Sequence, residues 1–580
     1  MKPSGRPNAL ASLCLFLAPP LLATAMGCGT ERSAQPSGHV CAVAAPANPA
    51  FPLAVDPASR GTADFSKVTV LGFSQVGNGD PPDPQVLQLD PDMLMRGWQR
   101  WDRWGVEASE YNAGYPEAAH AQGIAFIGGS TASAFFPDET DAEAQFRSLV
   151  ACDARGRPVL HGLAGTTTAF YRASLASPAY RLRLIDYGKM QIDAGVDGLF
   201  YDEVTSSYDG ARWDGNEGFD DAHVADFGGF LCDRHGDLGA GELTSRFGLH
   251  PGELDCTGPA ETRGRAFDYR GYLARNGWLD APLSPANPLA ADWGRTLGNR
   301  PDPDVGSFIE TFPSRVYWQE IVAAVRSYAR EVYGREIFVT SNGIYPFVDF
   351  QSVGLYDWNR DGPGGAEVNY VPVVSGHLDG AASLLSAFLR LKQRSARIAG
   401  PDVPVALFLD WPTDTLNRYI GLPFAERKDY FRVFLAEAYA AGLYYAFPLK
   451  TTTGEPTAAQ LGMMDFFGQL AAFYRAHADL YHGARDLSDP VTVSLPAIAA
   501  HLARLGDGRT VLHLINHQYA QGPQTRSGVQ VSFPAPEAPS DVTLASPDLA
   551  ADVPASFTYD GGLVHVEVPR LDTYLAVVAR

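Results

Sequence analysis

Acidic, amide and tryptophan side chains recur in this 580-residue chain just after short apolar runs. Glu110 and Asn112 close one run, Tyr201-Asp202-Glu203 another, and Ser341-Asn342 a third. Asp357-Trp358-Asn359 closes a fourth and Asp410-Trp411 a fifth, with Asp414 just beyond; Phe447 and Lys450 close a sixth. Such a set suits the chemistry of sugars. Two carboxyl groups flank a glycosidic bond, one as nucleophile or base and the other as proton donor. Flat aromatic faces stack on pyranose rings, while amides and acids bind hydroxyls. Asp202, Glu203, Asp357 and Asp410 are therefore the catalytic candidates. Glu110, Asn112, Tyr201, Asn342, Trp358, Asn359, Trp411 and Asp414 are the candidates for substrate binding. A single Asp at a strand end is more often a helix cap or a loop hydrogen bonder. Several acidic ends, two followed directly by Trp, argue for a shared site.

These residues need a scaffold that brings strand ends to one rim. Eight short β-branched or aromatic runs are spaced along the chain: Val68 to Gln75, Gly105 to Asn112, Ile124 to Gly129 and Gly198 to Glu203, then Ile337 to Asn342, Val353 to Asn359, Val405 to Pro412 and Leu443 to Leu449. Helical patterns lie between them. One opens at the Ser177-Pro178 pair, keeps apolar residues three and four apart, and stops at Gly195. Ser314 to Gly334 and Lys428 to Gly442 behave alike. Short buried strands alternating with helices make parallel βα units, and eight of them predict a (β/α)₈ barrel with a long insertion after strand four. A doubly wound sheet would want a Gly-rich phosphate turn after the first strand, and "GFSQVGNGD" is not one. After about residue 490, alternating runs broken by "GDG" and "YDGG" predict a small antiparallel β-sandwich. The barrel is assigned to residues 63–488 and the sandwich to 489–580.

The segment "SPAYRLRLIDYGKMQIDAGVDGLFYDEV" (Ser177 to Val204) resembles the strand-four region of glycoside-hydrolase-type barrels. It is similar to the endo-α-1,4-polygalactosaminidase-like and dextranase-like groups and to hypothetical glycosyl hydrolase families, where a helix ends in "aGvDGif" and the strand delivers an Asp at its tip. "AHAQGIAFIGG" and "CDARGRPVLHG", which carries Asp153, fit the same layout, and "VLHLINH" (Val511 to His517) is similar to the accessory β-domain that follows such barrels. The resemblance implies Asp202 as nucleophile or ionised carboxylate. It implies a proton donor on strand six, which is Asp357, with Asp410 on strand seven as competitor. Glu203 points to the opposite face of its strand from Asp202.

The rest of the chain bounds where this chemistry would operate. Lys2 and Arg6 precede the apolar run Ala9 to Cys28, too short and Pro-broken to span a membrane, so residues 1–28 read as an export signal. It ends in "AMGC", which resembles a lipoprotein cleavage site with Cys28 as the lipidated residue. Residues 29–62, rich in Ala, Pro, Ser and Gly, read as a tether. Localisation at a bacterial cell envelope, or outside the cell, follows. The net charge of −21 lacks the electrostatic footprint for nucleic acid or an anionic membrane surface, so membrane contact is expected only through the lipid. The expected partner is a carbohydrate and the expected state a monomer. Export into an oxidising compartment allows disulfides among Cys41, Cys152, Cys232 and Cys256; Cys232 with Cys256 is the expected pair, both lying in the insertion. No CxxC, HExxH, EF-hand or GxSxG pattern appears, so neither a metal, another cofactor nor a serine hydrolase is expected. The rival reading is a catalytically inactive surface lipoprotein that binds glycans with the same rim.

Overall fold

A computed structural model of the chain describes residue 59 and residues 61–74, 88–96, 114–132, 134–135, 140, 142–161, 170–202, 218–297, 317–354, 384–408, 424–450, 462–518 and 522–580. The first part is a parallel eight-stranded barrel. Its strands are β1 (Leu71–Ser74), β2 (Met93–Arg96) and β3 (Ala125–Thr131), the last preceded by helix α1 (Gly114–His120). A small three-stranded antiparallel sheet follows, made of β4 (Ala134–Phe135), β5 (Leu160–His161) and β6 (Phe170–Arg172), with α2 (Glu143–Leu149) inside it. Helix α3 (Pro178–Asp193) then leads to β7 (Gly198–Asp202), the fourth barrel strand.

Between β7 and the fifth barrel strand lies the insertion, with helices α4 (Asp221–His235), α5 (Ala240–Phe247), α6 (Tyr269–Asn276) and α7 (Ala290–Leu297). Helix α8 (Trp318–Tyr333) returns to β8 (Phe338–Ser341), followed by β9 (Gln351–Gly354), α9 (Leu385–Ala399), β10 (Val405–Phe408), α10 (Phe424–Ala440) and β11 (Tyr444–Lys450). Hydrogen bonding runs β8-β7-β3-β2-β1-β11-β10-β9. A parallel bridge from Asn342 to Ser352 joins β8 to β9 and closes the ring. Gly343, at φ +128°, makes the turn there; a Cβ at this position would press 2.7 Å from the Tyr345 ring.

One strand differs from the sequence expectation. The second slot, between β1 and β3, is filled by Met93–Arg96, paired in register through Leu71 with Met93 and Met93 with Ala125. The run Gly105 to Asn112 lies outside the described residues. "MLMR" carries no β-branched or aromatic residue, so strand propensity passes over it, yet Met93 and Met95 are buried in the barrel.

Helix α3 begins where the Ser-Pro signal places it, but Ser177 does not cap it. Its hydroxyl donates instead to the Ser148 carbonyl at 2.5 Å, tying α3 to α2. The insertion has its own aromatic centre, in which Trp293 is fully buried among Phe219, Phe227 and Tyr269. Cys232 and Cys256 are disulfide-bonded, with Cα atoms 5.1 Å apart, and Cys152 is also disulfide-bonded. The Cys232–Cys256 bridge closes a loop of sequence separation 24. In the chain-entropy account a loop of that length is worth about 3 kcal/mol. A Cys232→Ser/Cys256→Ser protein is therefore expected to be cut within residues 232–256 by a low dose of protease that leaves the parent intact. Equal resistance of the two proteins would show that helix packing alone holds the insertion.

Helix α11 (Met464–Ala476) completes the barrel's outer layer and leads into the second part. This contains β12 (Arg485–Leu487), β13 (Thr492–Val493), β14 (Ile498–Arg504), β15 (Thr510–Asn516), β16 (Arg526–Pro534), β17 (Val542–Ala545), β18 (Val553–Pro554), β19 (Phe557–Asp560), β20 (Leu563–Leu571) and β21 (Tyr574–Ala579). They form two antiparallel sheets, β12-β14-β15-β21-β17-β18 and β13-β16-β20-β19. Val531, Val566, Leu512 and Val577 are among the residues buried in the core they share. The joint with the barrel is also buried: Tyr574 donates to the Tyr481 hydroxyl at 3.0 Å, and the Tyr481 ring packs edge-on against Tyr439 and Tyr474 of the barrel's last helices.

Candidate active site

Side chains alternate along each barrel strand, so every second residue faces the axis. Leu71, Phe73, Met93, Met95, Ile127, Phe200, Ala406, Phe408 and Ala446 form that inner set. Towards the carboxyl end it terminates in an aromatic floor from three strands. Phe73 of β1 lies 4.3 Å from Phe408 of β10, and Phe200 of β7 lies 5.9 Å from Phe408. Asp202 is two residues beyond Phe200, on the same face of the same strand, and is 7 % exposed. Its backbone is held by register with Thr131 and by the Ala132 N–H, which donates to the Asp202 carbonyl at 2.9 Å. A carboxyl group therefore stands at the carboxyl-end rim over an apolar floor, the place where reacting groups of such barrels sit.

The acids at the opposite end of the barrel are engaged differently. Asp349 takes the Arg326 guanidinium at 2.9 Å and the Val339 N–H at 2.6 Å. Asp92 accepts from the Thr69 and Val70 N–H groups, both at 2.8 Å, and pairs with Arg475. Asp197 accepts from the Phe126 N–H and meets His120 at 2.6 Å. These three staple strand starts to helices and neighbouring loops. Their work is structural.

Of the candidates drawn from the sequence, Tyr201, Asp202 and Asn342 are described, and Asp202 is the one whose axis-facing side chain stands at the carboxyl-end rim above the aromatic floor. Tyr201 is turned away from the axis. It is 1 % exposed, with its ring 4.9 Å from Trp318 of α8, so it belongs to the layer between strands and helices and does not reach a substrate. Strand alternation explains this, because a residue adjacent to an inward Asp202 must point outward. Asn342 faces inward, but its side-chain carbonyl accepts from the Gly354 N–H at 3.0 Å and so locks β8 to β9. That bond makes it a closure residue of the barrel. Asp153, placed on the substrate side by the resemblance, instead accepts from the Arg155 and Arg157 N–H groups and pairs with the Arg157 guanidinium. Glu110, Asn112, Glu203, Asp357, Trp358, Asn359, Asp410, Trp411, Asp414 and Cys28 lie outside the described residues.

Two polar features escaped the sequence reading. Inside the barrel, the Thr340 and Ser352 hydroxyls meet at 2.8 Å across the β8–β9 seam. Asp220, at the amino end of the insertion, caps α4 through the His223 N–H, and burial pushes its carboxyl up to about 6. The "FDDAH" stretch carries the cap signal, but its burial comes from the Phe219 N–H docking on the Cys152 carbonyl, 67 residues earlier in the chain and not visible locally. Among the described residues no group of three or more His, Cys, Asp or Glu is arranged to hold a metal ion. No described helix is long and apolar enough to cross a membrane.

No family model matches the sequence, and no curated protein matches it. Solved structures do. A cycloisomaltooligosaccharide glucanotransferase of Paenibacillus sp., complexed with cycloisomaltoheptaose, is similar over 89 % of this chain and 86 % of that one, with a TM-score of 0.52 and 10 % identity. An alpha-L-fucosidase isoenzyme 2 from Paenibacillus thiaminolyticus covers 88 % of this chain and 99 % of its own, with a TM-score of 0.48 and 10 % identity. The first likeness is one of fold alone, a (β/α)₈ barrel.

Proposed function

We propose that this protein is an exported, lipid-anchored glycoside hydrolase that cleaves a poly- or oligosaccharide by carboxylate acid/base chemistry. One observation carries the reading. Asp202 is held at the carboxyl end of the fourth barrel strand, facing the axis above the floor of Phe73, Phe200 and Phe408. A carboxylate in that position is suited to attack an anomeric carbon or to stabilise the charge that develops there. Its partner acid would come from Asp357 or Asp410, and Trp358 and Trp411 would stack on the sugar. The separation of the two carboxyls decides the outcome, about 5 Å for retention and about 6.5–9.5 Å for inversion. The endo-α-1,4-polygalactosaminidase-like and dextranase-like groups suggest the first substrates. The testing experiment is a screen of neutral glucans and cationic galactosaminans for released reducing ends, run beside an Asp202→Asn control. Release that is equal in both proteins, or absent on every glycan offered, counts against the reading.

The anchor has its own test. Two acyl chains are what stable membrane attachment requires. Changing Cys28 to Ser is expected to move the protein from the membrane pellet to the soluble fraction. A parent already soluble would remove the lipid from the proposal and leave the hydrolase untouched.

A further inference from the structure

We propose that the barrel wall directly behind Asp202 binds ordered water, and that this water fixes the direction of the row of rim residues to which Asp202 belongs. The second half of the proposal rests on the reading of Asp202 given above; the first does not.

The wall is built from three hydroxyl residues in one register. Ser130 of β3 is paired with Tyr201 of β7, and Tyr201 is paired with Ser341 of β8. Adjacent strands lie about 4.8 Å apart, so these three sit side by side at one height. All point to the helix side. Tyr201 does so by its contact with Trp318, and Ser130 and Ser341 by alternation with Ile127 and Thr340, neither of which is on the helix side. They are 1 %, 1 % and 0 % exposed. None of the three hydroxyl oxygens finds a hydrogen-bond partner among the described residues. Gln191 of α3, itself 1 % exposed, faces the same gap; its Nε2 reaches the Gly129 carbonyl at 3.3 Å, while its Oε1 is unpartnered.

Four buried, unpartnered oxygens lie on one stretch of the sheet–helix layer. Native interiors satisfy nearly all such groups, and ordered water does so where protein cannot, taking about three hydrogen bonds each. Two glycines let these polar groups approach the backbone closely. A Cβ on Gly188 of α3 would come within 3.0 Å of the Tyr201 hydroxyl and 2.7 Å of Val325, and one on Gly128 within 2.0 Å of Gln191 Oε1. Burial also pushes the Tyr201 phenol well above its ordinary range, so it stays a donor. Gln191 Oε1 can only accept, and the two serine hydroxyls can do either. The set is thus complementary to water.

The placement gives that water a function. Two of the hydroxyl residues directly precede a residue of opposite facing: Tyr201 before Asp202 and Ser341 before Asn342. Anchoring one row from behind sets the height and roll of the strand ends, and so the direction of the Asp202 carboxyl. Tyr201, Ser130 and Ser341 are then positioning residues, acting through the backbone and not on the substrate.

A crystal structure of the full chain decides the first half. Ordered water within about 3.2 Å of at least two of the four oxygens is expected; a dry gap overturns the proposal. The Tyr201→Phe protein supplies a second readout with a sign. Removing a hydroxyl that holds water is expected to lower the melting temperature by about 1 to 3 °C. Removing a bare one leaves it level or raises it, which also counts against the proposal. On a glycan that the parent cleaves, Tyr201→Phe and Ser341→Ala are expected to lower kcat several-fold with KM unchanged. Water in place with kcat unaltered overturns the positioning role. Water in place with an active Asp202→Asn protein overturns the catalytic reading of Asp202 and leaves the water site standing.

Discussion

Asp202→Asn is expected to reduce turnover of a responsive glycan by about 10³-fold or more, with a melting temperature close to that of the parent. The substitution keeps the shape of the side chain and removes the charge and the nucleophilic oxygen. Among the described residues of the same strand none can replace it, because alternation turns Tyr201 into the helix layer. The floor beneath is apolar, so no charged neighbour from Phe73, Phe200 or Phe408 can take over. Little stability is at stake, since an amide is cheaper than a carboxylate to keep at 7 % exposure. The measurement is kcat and thermal melting of both proteins in one buffer. Full turnover in the variant removes the strand-four mechanism. A large fall in melting temperature would instead mark Asp202 as one more staple, like Asp349.

Stability is expected to fall steeply on acidification just below pH 6. Three histidines are buried neutral: burial pushes His223 and His482 down to about 3 and His513 well below its ordinary value. The unfolded chain binds a proton on each near pH 6.5, whereas the folded chain does not. The stability they carry is therefore complete above pH 6.5 and lost as pH falls towards the folded values, at about 1.4 kcal/mol per pH unit for each. Asp220 opposes this. Its carboxyl, raised to about 6, takes up a proton in the folded state first and cancels one histidine between about pH 6 and 4. Burial also raises Asp221, Asp349 and Asp548, which act in the same opposing sense. Just below pH 6, two uncancelled histidines leave a slope of about 2.7 kcal/mol per pH unit. Melting curves between pH 7.5 and 5 test this, and a melting temperature that holds level or rises would refute it. His482→Phe localises the effect. His482 stacks on Tyr444 at 3.7 Å with both ring nitrogens unpartnered, so Phe keeps the stack and should flatten the acid limb by one proton.

Six of the eight barrel strands were legible from short runs carrying β-branched or aromatic residues, and a seventh, Gln351–Gly354, was met only in part, at Val353 and Gly354. The remaining one, Met93–Arg96, is held by its neighbours and not by propensity, and Met and Leu in a four-residue run signal neither strand nor helix. Asp202 stood out in the sequence as an acidic strand end within the segment that carries the resemblance, and in the structure the inward Phe200 fixes the facing of this residue two further on. The same rule places Tyr201 outward, so its nearness in sequence to Asp202 misled where periodicity would not have. Asn342 could not be read at all. Its role depends on the Gly354 N–H, twelve positions on, brought alongside only when the ring of strands closes. The Cys232–Cys256 pair was readable from the shared insertion alone.

The joint between barrel and sandwich bears on how such a chain can be recombined. Val511, Ile515, Tyr574, Ala576 and Val578 of the sandwich are buried in the same apolar cluster as Phe434, Tyr439 and Tyr474 of the barrel's last helices. Domains that meet through small polar interfaces travel between genes as separate cassettes. Here the two parts share a core, so a cut at the start of β12 would bare tyrosines and valines on both fragments. The exchangeable unit is the pair, and an ancestor lending this sandwich to another barrel would have had to lend α10 and α11 with it.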